Sequence, residues 1–186
     1  ITSATFSPDS KLVLTASGDG TARLWDLSGK QLSIIKENKR IGANFSPDGK
    51  SIITVSDFQN VRIWNLSGNL PAELKADKTM VISSASFSPD GKYIFTYGNE
   101  GTARIWNQEG KLVSELKLSG QNNSFTNASF SFDSKLILTK SSHNEIDIWK
   151  VSGELFKKFL RTSGPVVPSF SPDNKLILTT DGTAKL

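Results

Sequence analysis

The 186-residue chain contains no cysteine, which excludes disulfide bonds and thiolate metal sites for this sequence. Hydrophobic residues make up 37% of the chain without a long apolar run, and its start does not resemble an export signal, so neither a membrane span nor a signal peptide is predicted. The formal net charge of +4 is modest for this length and does not by itself point to a nucleic-acid partner.

Five related turns recur along the chain. They are FSPDSK from Phe6, FSPDGK from Phe45, FSPDGK from Phe87, FSFDSK from Phe130 and FSPDNK from Phe170, and their phenylalanines lie 39, 42, 43 and 40 residues apart. A period of about 40–45 residues is typical of an array of similar structural units. Short apolar or β-branched runs follow the turns and no stretch has a helical period, so each unit is predicted to consist of β-hairpins.

The composition of the turn suits a tight reversal of the chain. In residues 46–49 proline sets φ for the second turn position, aspartate bonds its own backbone, and glycine accepts a positive φ. Asn174 at the glycine position also tolerates a positive φ, whereas Ser10 and Ser134 fit it less well. Phe132 replaces the proline in the fourth copy, so we expect that turn to be the least rigid.

A second recurring sequence contains tryptophan. It reads TARLWD, VRIWN, TARIWN and IDIWK around Trp25, Trp64, Trp106 and Trp149. Each tryptophan follows its turn phenylalanine by 19 residues, whereas the next phenylalanine follows after 20, 23, 24 or 21 residues. The constant part is predicted to form paired strands, because a slip of one residue would turn every side chain to the wrong face.

With these two motifs the chain resembles the WD-repeat β-propeller family from end to end. The resemblance implies an all-β fold of radially arranged, four-stranded antiparallel blades, with FSPDG joining strands a and b, and tryptophan closing strand c. The repeats are expected at approximately 1–40, 41–80, 81–125, 126–165 and an incomplete 166–186. We therefore expect about four complete blades and part of a fifth. We expect them to form a fragment of a larger propeller ring, for which seven blades is one candidate number.

The chain also departs from the family pattern. The family has a Gly-His pair before strand a, whose histidine joins the tryptophan, a strand b hydroxyl and a turn aspartate, but His143 is the only histidine here and lies elsewhere. The full network is therefore not expected in any repeat. Asp19 and Asp181 retain the turn carboxylate, and we predict structural roles for them and for the four tryptophans, with apolar packing between blades as the main source of stability.

No catalytic, cofactor-binding or metal-binding residue is predicted. His143 lies in the polar hairpin sequence SSHNE, and a catalytic site needs several positioned partners. The glycines end turns and lack the spacing of a phosphate-binding loop. The chain is therefore expected to be non-enzymatic and to need no cofactor.

The variable d–a and b–c loops share one rim in the family, and this rim is the predicted partner-binding surface. Lysines and arginines make the rim mildly basic, and the negative charges of Glu37 and Asp77 partly offset theirs. The candidates for exposed apolar contacts are Phe58, Phe125 and Met80. The candidate partner-binding residues are Lys36, Lys39, Arg40, Asp57, Phe58, Lys78, Met80, Asn99, Phe125, Ser142 and Arg161.

The leading hypothesis is a cytoplasmic, non-catalytic scaffold or sensor that binds a protein partner through this rim. Repeats of the WDLSGK type resemble bacterial arrays that form the sensing part of larger signalling proteins. The alternative is polyanion or nucleic-acid binding by the basic rim, with an affinity that falls steeply with salt, although aromatic residues are not interleaved with the basic ones. No membrane partner is expected, and open blade edges are expected to be covered by a second chain or by the rest of the same chain.

Overall fold

The chain folds into a series of antiparallel sheets, each built from strands that are consecutive in sequence. The computed structural model describes residues 1–37, 39, 41–57, 60–74, 81–99, 101–120, 123–159, 167–180 and 184–185. Within these ranges every regular element is a β-strand, and the strands form five sheets. The predicted all-β class with four-stranded blades, a partial β-propeller, is confirmed.

Four of the sheets have four strands, in the order a, b, c, d. Blade 1 contains β1 (Ser3–Phe6), β2 (Leu12–Ala16), β3 (Thr21–Asp26) and β4 (Gln31–Lys36). Blade 2 contains β5 (Ile41–Phe45), β6 (Ser51–Ser56), β7 (Asn60–Asn65) and β8 (Ala72–Leu74). Blade 3 contains β9 (Ile82–Phe87), β10 (Tyr93–Gly98), β11 (Thr102–Asn107) and β12 (Leu112–Lys117). Blade 4 contains β13 (Phe125–Phe130), β14 (Leu136–Ser141), β15 (Ile146–Lys150) and β16 (Leu155–Lys158). The described part of blade 5 has three strands, β17 (Ser169–Phe170), β18 (Ile177–Thr180) and β19 (Ala184–Lys185).

The a–b turns adopt the conformation that their sequences predict. The fourth turn residue has a positive φ in all five copies, with values of 58° at Ser10, 69° at Gly49, 74° at Gly91, 61° at Ser134 and 59° at Asn174. The first serine closes each turn. In blade 2 the Ser46 hydroxyl donates to Asp48 Oδ1 at 2.7 Å and accepts the Ser51 N–H at 2.9 Å.

The fourth turn, which lacks proline, gains a hydrogen bond that the other turns cannot form. Proline has no N–H, but Phe132 has one, and it donates to Asn174 Oδ1 of the next blade at 2.7 Å. A related bond joins blades 3 and 4, where the Asp90 N–H donates to Ser134 Oγ at 3.0 Å. The fourth turn residue therefore links its blade to the preceding one, and Asn174 offsets the loss of proline at Phe132.

Acid is expected to destabilise the a–b turns. The Ser46 hydroxyl, followed by the Lys50 N–H, lowers the pKa of Asp48 from its ordinary value of 3.8. The same arrangement lowers the pKa of Asp9, Asp133 and Asp173. Because the pKa is lower in the folded state, the ionised carboxylates stabilise the fold above the unfolded value, and this stabilisation is lost as pH falls through the folded value.

An NMR titration of the aspartate carboxyls tests this origin of the pKa shift. In the variant Ser46→Ala the pKa of Asp48 should rise towards its ordinary value, because the main hydrogen bond to its ionised form is gone. The pKa of Asp9 and Asp133 in their intact turns should stay unchanged and serves as the control. An Asp48 pKa equal in the two proteins would contradict the assignment.

The hydrophobic core lies between successive blades. Leu14, Leu24 and Ile35 of blade 1 pack against Ile41 and Ile52 of blade 2. Equivalent clusters join blades 2 and 3 and blades 3 and 4, and a smaller one joins blades 4 and 5. Blades 2, 3 and 4 therefore each bury two apolar faces, one against each neighbouring blade, as expected for a repeat architecture.

Strand a of blades 3 and 4 carries an extra residue. The register shifts at Tyr97/Gly98 leave Ser83 unpaired, and those at Phe125/Asn127 leave Thr126 unpaired, which defines a β-bulge in each strand. The distance from a tryptophan to the next turn phenylalanine is 23 residues before blade 3 and 24 before blade 4, compared with 20 before blade 2. The bulge accounts for one of these additional residues in each case. It also places Phe125 at the core position that Ile82 occupies in blade 3.

Phe125 is consequently buried. It is 4% exposed and packs in the cluster between blades 3 and 4, as Ile82 does between blades 2 and 3. The expectation of an exposed apolar contact at Phe125 is therefore wrong. An alignment without gaps hides the equivalence of Phe125 with Ile41, because Phe125 lies five residues before its turn phenylalanine and Ile41 lies four residues before its own.

Candidate functional site

Each tryptophan of strand c is held by a hydroxyl from strand b. The indole N–H donates to the threonine Oγ1 in the pairs Trp25–Thr15 (2.9 Å), Trp64–Thr54 (2.8 Å), Trp106–Thr96 (2.9 Å) and Trp149–Thr139 (2.9 Å). These threonines were not predicted, although each lies ten residues before its tryptophan. The histidine is lacking, but the tryptophan–hydroxyl part of the family network is present in four blades.

Asp19 does not join this pair in blade 1. It is exposed in the b–c turn, where its Oδ1 accepts the N–H of Thr21 at 2.9 Å and the hydroxyl of Thr21 at 2.7 Å. These bonds lower the pKa of Asp19, with the Thr21 hydroxyl as the largest cause. Asp19 also forms an ion pair at 4.0 Å with Arg23 of strand c, and it has no contact with the tryptophan–threonine pair among the described residues. Asp181 lies outside the described residues.

Removing the hydroxyl of Thr96 is expected to destabilise the protein. In Thr96→Val the buried Trp106 N–H loses its acceptor while the side-chain volume is nearly kept, so the free energy of unfolding should fall by about 1–3 kcal/mol. Thr15→Val is the matched control, because Trp25 is only partly buried and water can replace the hydroxyl. Chemical denaturation measures both, and equal losses would contradict the role of burial.

The structure describes about half of the predicted rim. Lys36, Lys39, Asn99 and Ser142 are exposed, and Asp57 is half-buried. Phe125 is buried, and the remaining five candidates lie outside the described residues: Arg40, Phe58, Lys78, Met80 and Arg161.

Two of the predicted residues meet at the rim. Lys39, from the loop that enters blade 2, forms an ion pair with Asp57 of the b–c turn of that blade, with 2.8 Å between Nζ and Oδ1. Asp57 has a φ of 54°, the left-handed conformation that aspartate and asparagine adopt more readily than other non-glycine residues in turns. Both side chains border a concavity of about 450 Å³.

This concavity is formed by three blades. Thr2 and Ser3 come from blade 1, Gly42 and Val55 from blade 2, and Ser83 from blade 3. Hydroxyl groups and a glycine thus lie beside an apolar side chain, with the Lys39–Asp57 pair at the border. A surface of mixed polarity with a few placed polar groups is the usual composition of a binding site.

Asn99 and Ser142 hold the b–c turns of blades 3 and 4 in place. The Asn99 N–H donates to the Val81 carbonyl at 3.3 Å. The Ser142 N–H donates to the Ser124 carbonyl at 2.8 Å, and the Ser124 N–H returns a bond to Ser142 Oγ at 3.1 Å. Asn99 anchors its turn through its backbone, whereas Ser142 uses both its backbone and its hydroxyl, so the Asn99 side chain is not needed for this anchoring.

Glu37 differs from its predicted place on the rim surface. Its side chain is 4% exposed and forms an ion pair with Arg62 of the next blade, which also bonds Glu73 Oε1 at 2.8 Å. Glu37 therefore bridges blades 1 and 2 and contributes little negative charge to the rim surface. Lys36 remains exposed one residue earlier.

Asp147 is an unusual buried carboxyl in blade 4, at the strand position where blades 1 to 3 carry arginine. Burial raises its pKa, the charge of Lys158 opposes this shift, and the charge of Glu145 adds to it. The described ranges contain no group of three or more histidine, cysteine or acidic residues that could bind a metal ion. In the same ranges no helix is long and apolar enough to cross a membrane.

Comparison with known protein families matches two segments of the chain. The family model described as WD domain, G-beta repeat, matches residues 1–26 and 68–107. No curated protein matches the chain. The matched segments include the strand c tryptophans of blades 1 and 3.

Proposed function

This chain belongs to the WD-repeat family, and we propose that it is a non-catalytic scaffold that binds a protein partner through the rim of d–a and b–c loops. WD repeats are generally protein-interaction scaffolds, and they typically bind protein partners. We further propose that the partner contacts the concavity bordered by Lys39 and Asp57. The scaffold would act in the cytoplasm, as the sensing part of a larger signalling protein.

The observation that carries the proposal is the convergence of three blades on one concavity. Its lining joins hydroxyl groups, the apolar Val55 and the Lys39–Asp57 ion pair, so it offers hydrogen bonds, apolar contact and charge to one ligand. Peptide segments present the same three kinds of group.

Binding of a polyanion is less favoured by these contacts. The charge of Lys39 is compensated by its ion pair with Asp57, and the charge of Arg62 by its ion pair with Glu37. In the described part of the rim this leaves Lys36 as an exposed lysine without an ion pair. A polyanion site needs several cations that release counterions together. Binding that disappears between about 0.05 and 0.5 M salt would favour the polyanion over the protein partner.

Site-specific photo-crosslinking tests the proposed surface. A photoreactive amino acid replaces Lys36 or Asn99 on the proposed rim, or Lys30 or Lys111, which are exposed in the c–d turns at the opposite rim. In extract, the first two positions should give covalent adducts with a defined protein. The second two are matched controls and should give none of that adduct.

The variant Asp57→Lys links the adduct to the concavity. Charge reversal breaks the ion pair with Lys39 and adds a second cation, so the adduct formed from position 36 should decrease. Adducts that form equally from both rims, or that are unaffected by Asp57→Lys, would contradict the proposal. Circular dichroism of each variant checks that the β-fold is retained.

A further inference from the structure

The rim of a–b and c–d turns carries a concavity between blades 3 and 4. Its volume is about 580 Å³, which is within the usual range of binding clefts. The lining comes from the a–b turns of both blades and from the c–d turn and strand d of blade 4. We call this concavity the 3–4 groove, and among the residues that line it are Lys92, Tyr93, Lys135, Lys150, Val151 and Phe156.

Three side chains distinguish the 3–4 groove from the same place at the junctions of blade 1 with blade 2 and of blade 2 with blade 3. The positions compared are the first residue of strand b, the residue directly after the strand c tryptophan, and the residue seven positions after that tryptophan. Two of them are aromatic and one is lysine in the 3–4 groove, whereas the other two junctions have neither at these positions. The residues are Tyr93 in place of Leu12 and Ser51, Lys150 in place of Asn65 and Asn107, and Phe156 in place of Pro71 and Val113.

Lys150 gives up a hydrogen bond that closes the same turn in other blades. Asn65 Oδ1 accepts the Asn69 N–H at 2.9 Å, and Asn107 Oδ1 accepts the Lys111 N–H at 2.9 Å. A lysine side chain has no acceptor atom, so blade 4 cannot form this bond. Departures from a local rule that the rest of a fold obeys are expected at functional sites. The exchange therefore points to a use for the positive charge at this place.

Phe156 adds an exposed aromatic ring beside this charge. The residue is 55% exposed, and Lys150 Nζ lies 6.0 Å from the centre of its ring. Tyr93 packs against the apolar cluster between blades 3 and 4 and also lines the groove. The groove therefore offers two aromatic rings next to an ammonium group, so apolar contact and positive charge are available to one ligand.

The lysines of the groove are held only by weak ion pairs. Nζ of Lys92 and of Lys135 lies 3.4 Å from Oδ2 of the aspartate two positions earlier, and Lys150 donates to Glu154 Oε2 at 2.9 Å. The other oxygen of each aspartate, Oδ1, accepts a serine hydroxyl and a backbone N–H within its own turn. Ion pairs exposed to water contribute little to stability, so a carboxylate of a ligand can join or replace them.

We propose that the 3–4 groove binds a short acidic peptide segment of a partner protein. Carboxylates of the segment contact the three lysines, and an apolar side chain packs against Phe156 and Tyr93. Asp90 and Asp133 also line the groove and would repel a continuous row of phosphates, whereas a peptide carries its charges at separate positions. The groove is on the opposite rim from the surface of the proposed scaffold function, so this site goes beyond that function and does not depend on it.

Fluorescence anisotropy with three labelled peptides tests the proposal on the full 186-residue chain. The peptide GDEFDEG carries carboxylates around one phenylalanine, GNQFNQG has amides in place of the carboxylates, and GDEADEG has alanine in place of the phenylalanine. GDEFDEG should bind about tenfold more tightly than either of the others, because each of them lacks one of the two kinds of contact.

Two variants give the groove the residues of the preceding junction. Lys150→Asn introduces the asparagine found at position 107, and Phe156→Val the valine found at position 113, so both side chains suit the fold. Each variant should weaken the binding of GDEFDEG about tenfold. Lys150→Asn should leave the affinity for GNQFNQG unchanged, and Phe156→Val the affinity for GDEADEG, because these peptides lack the group that the replaced side chain contacts.

Lys30→Asn is the matched control, because Lys30 is an exposed lysine in the c–d turn of blade 1, outside the 3–4 groove. It removes the same charge and should leave the affinity for GDEFDEG unchanged. The proposal would be overturned if GDEFDEG did not bind at about 1 mM, if GNQFNQG bound equally well, or if Lys30→Asn and Lys150→Asn caused equal losses. An oligothymidylate that bound more tightly than GDEFDEG, and less tightly to both groove variants, would assign the groove to nucleic acid and overturn it as well.

Discussion

Replacing Phe95 with alanine is expected to lower the free energy of unfolding by about 3–5 kcal/mol. Phe95 is 2% exposed on strand b of blade 3, and its ring contacts Phe130 of blade 4 edge-on with 6.2 Å between the ring centres. The substitution removes apolar contacts and leaves a cavity between two blades, which cannot close without moving a whole sheet. Chemical denaturation monitored by tryptophan fluorescence measures the loss.

Phe132→Ala is the matched control for this prediction. Phe132 is 57% exposed in the a–b turn of blade 4, and the hydrogen bond of its N–H to Asn174 is retained in the alanine variant. Its loss of stability should be about 0.5 kcal/mol or less, as for most surface substitutions. Similar losses at the two positions would show that burial between blades does not determine the effect.

The repeat pattern was sufficient to predict the blades because each is built from local information. The a–b turn requires a positive φ at its fourth residue, and glycine, asparagine and serine at that position mark all five turns. The constant distance from phenylalanine to tryptophan then sets the length of two hairpins. Such short-range requirements are visible in any single repeat.

Contacts between repeats were harder to predict. The bond from Phe132 to Asn174 joins residues 42 positions apart, and neither residue alone indicates it. The same holds for Glu37, whose charge suggested a surface position until Arg62 of the next blade was found beside it. These pairs depend on how one blade is placed against another, which a periodic pattern does not specify.

The candidate site depends on similar information. Lys39 and Asp57 were predicted separately as rim residues, and their ion pair follows from the packing of the entering loop against the b–c turn. Phe125 was misplaced because a bulge changes the register of β13 by one residue. The bulge can be recognised in the sequence only if Phe125 is aligned with Ile82 and Ile41, which are the buried first residues of strand a in blades 3 and 2.

Gly110→Ala is expected to reduce stability by about 2–5 kcal/mol, the sum of a backbone term and a steric term. Gly110 has a φ of 76°, which disfavours any residue with a Cβ atom. An added Cβ would also lie 2.8 Å from the Glu73 carbonyl oxygen, in strand d of blade 2. The blades would have to separate locally to admit it.

Gly29→Ala isolates the backbone term, because Gly29 occupies the same turn of blade 1 with a φ of 85°. No described atom lies within 4 Å of the position that its Cβ would take. The loss there should be roughly 1–2 kcal/mol, from the positive φ alone. The difference between the two variants therefore measures how tightly one blade is held against the next, and equal losses would mean that the interface adjusts without cost.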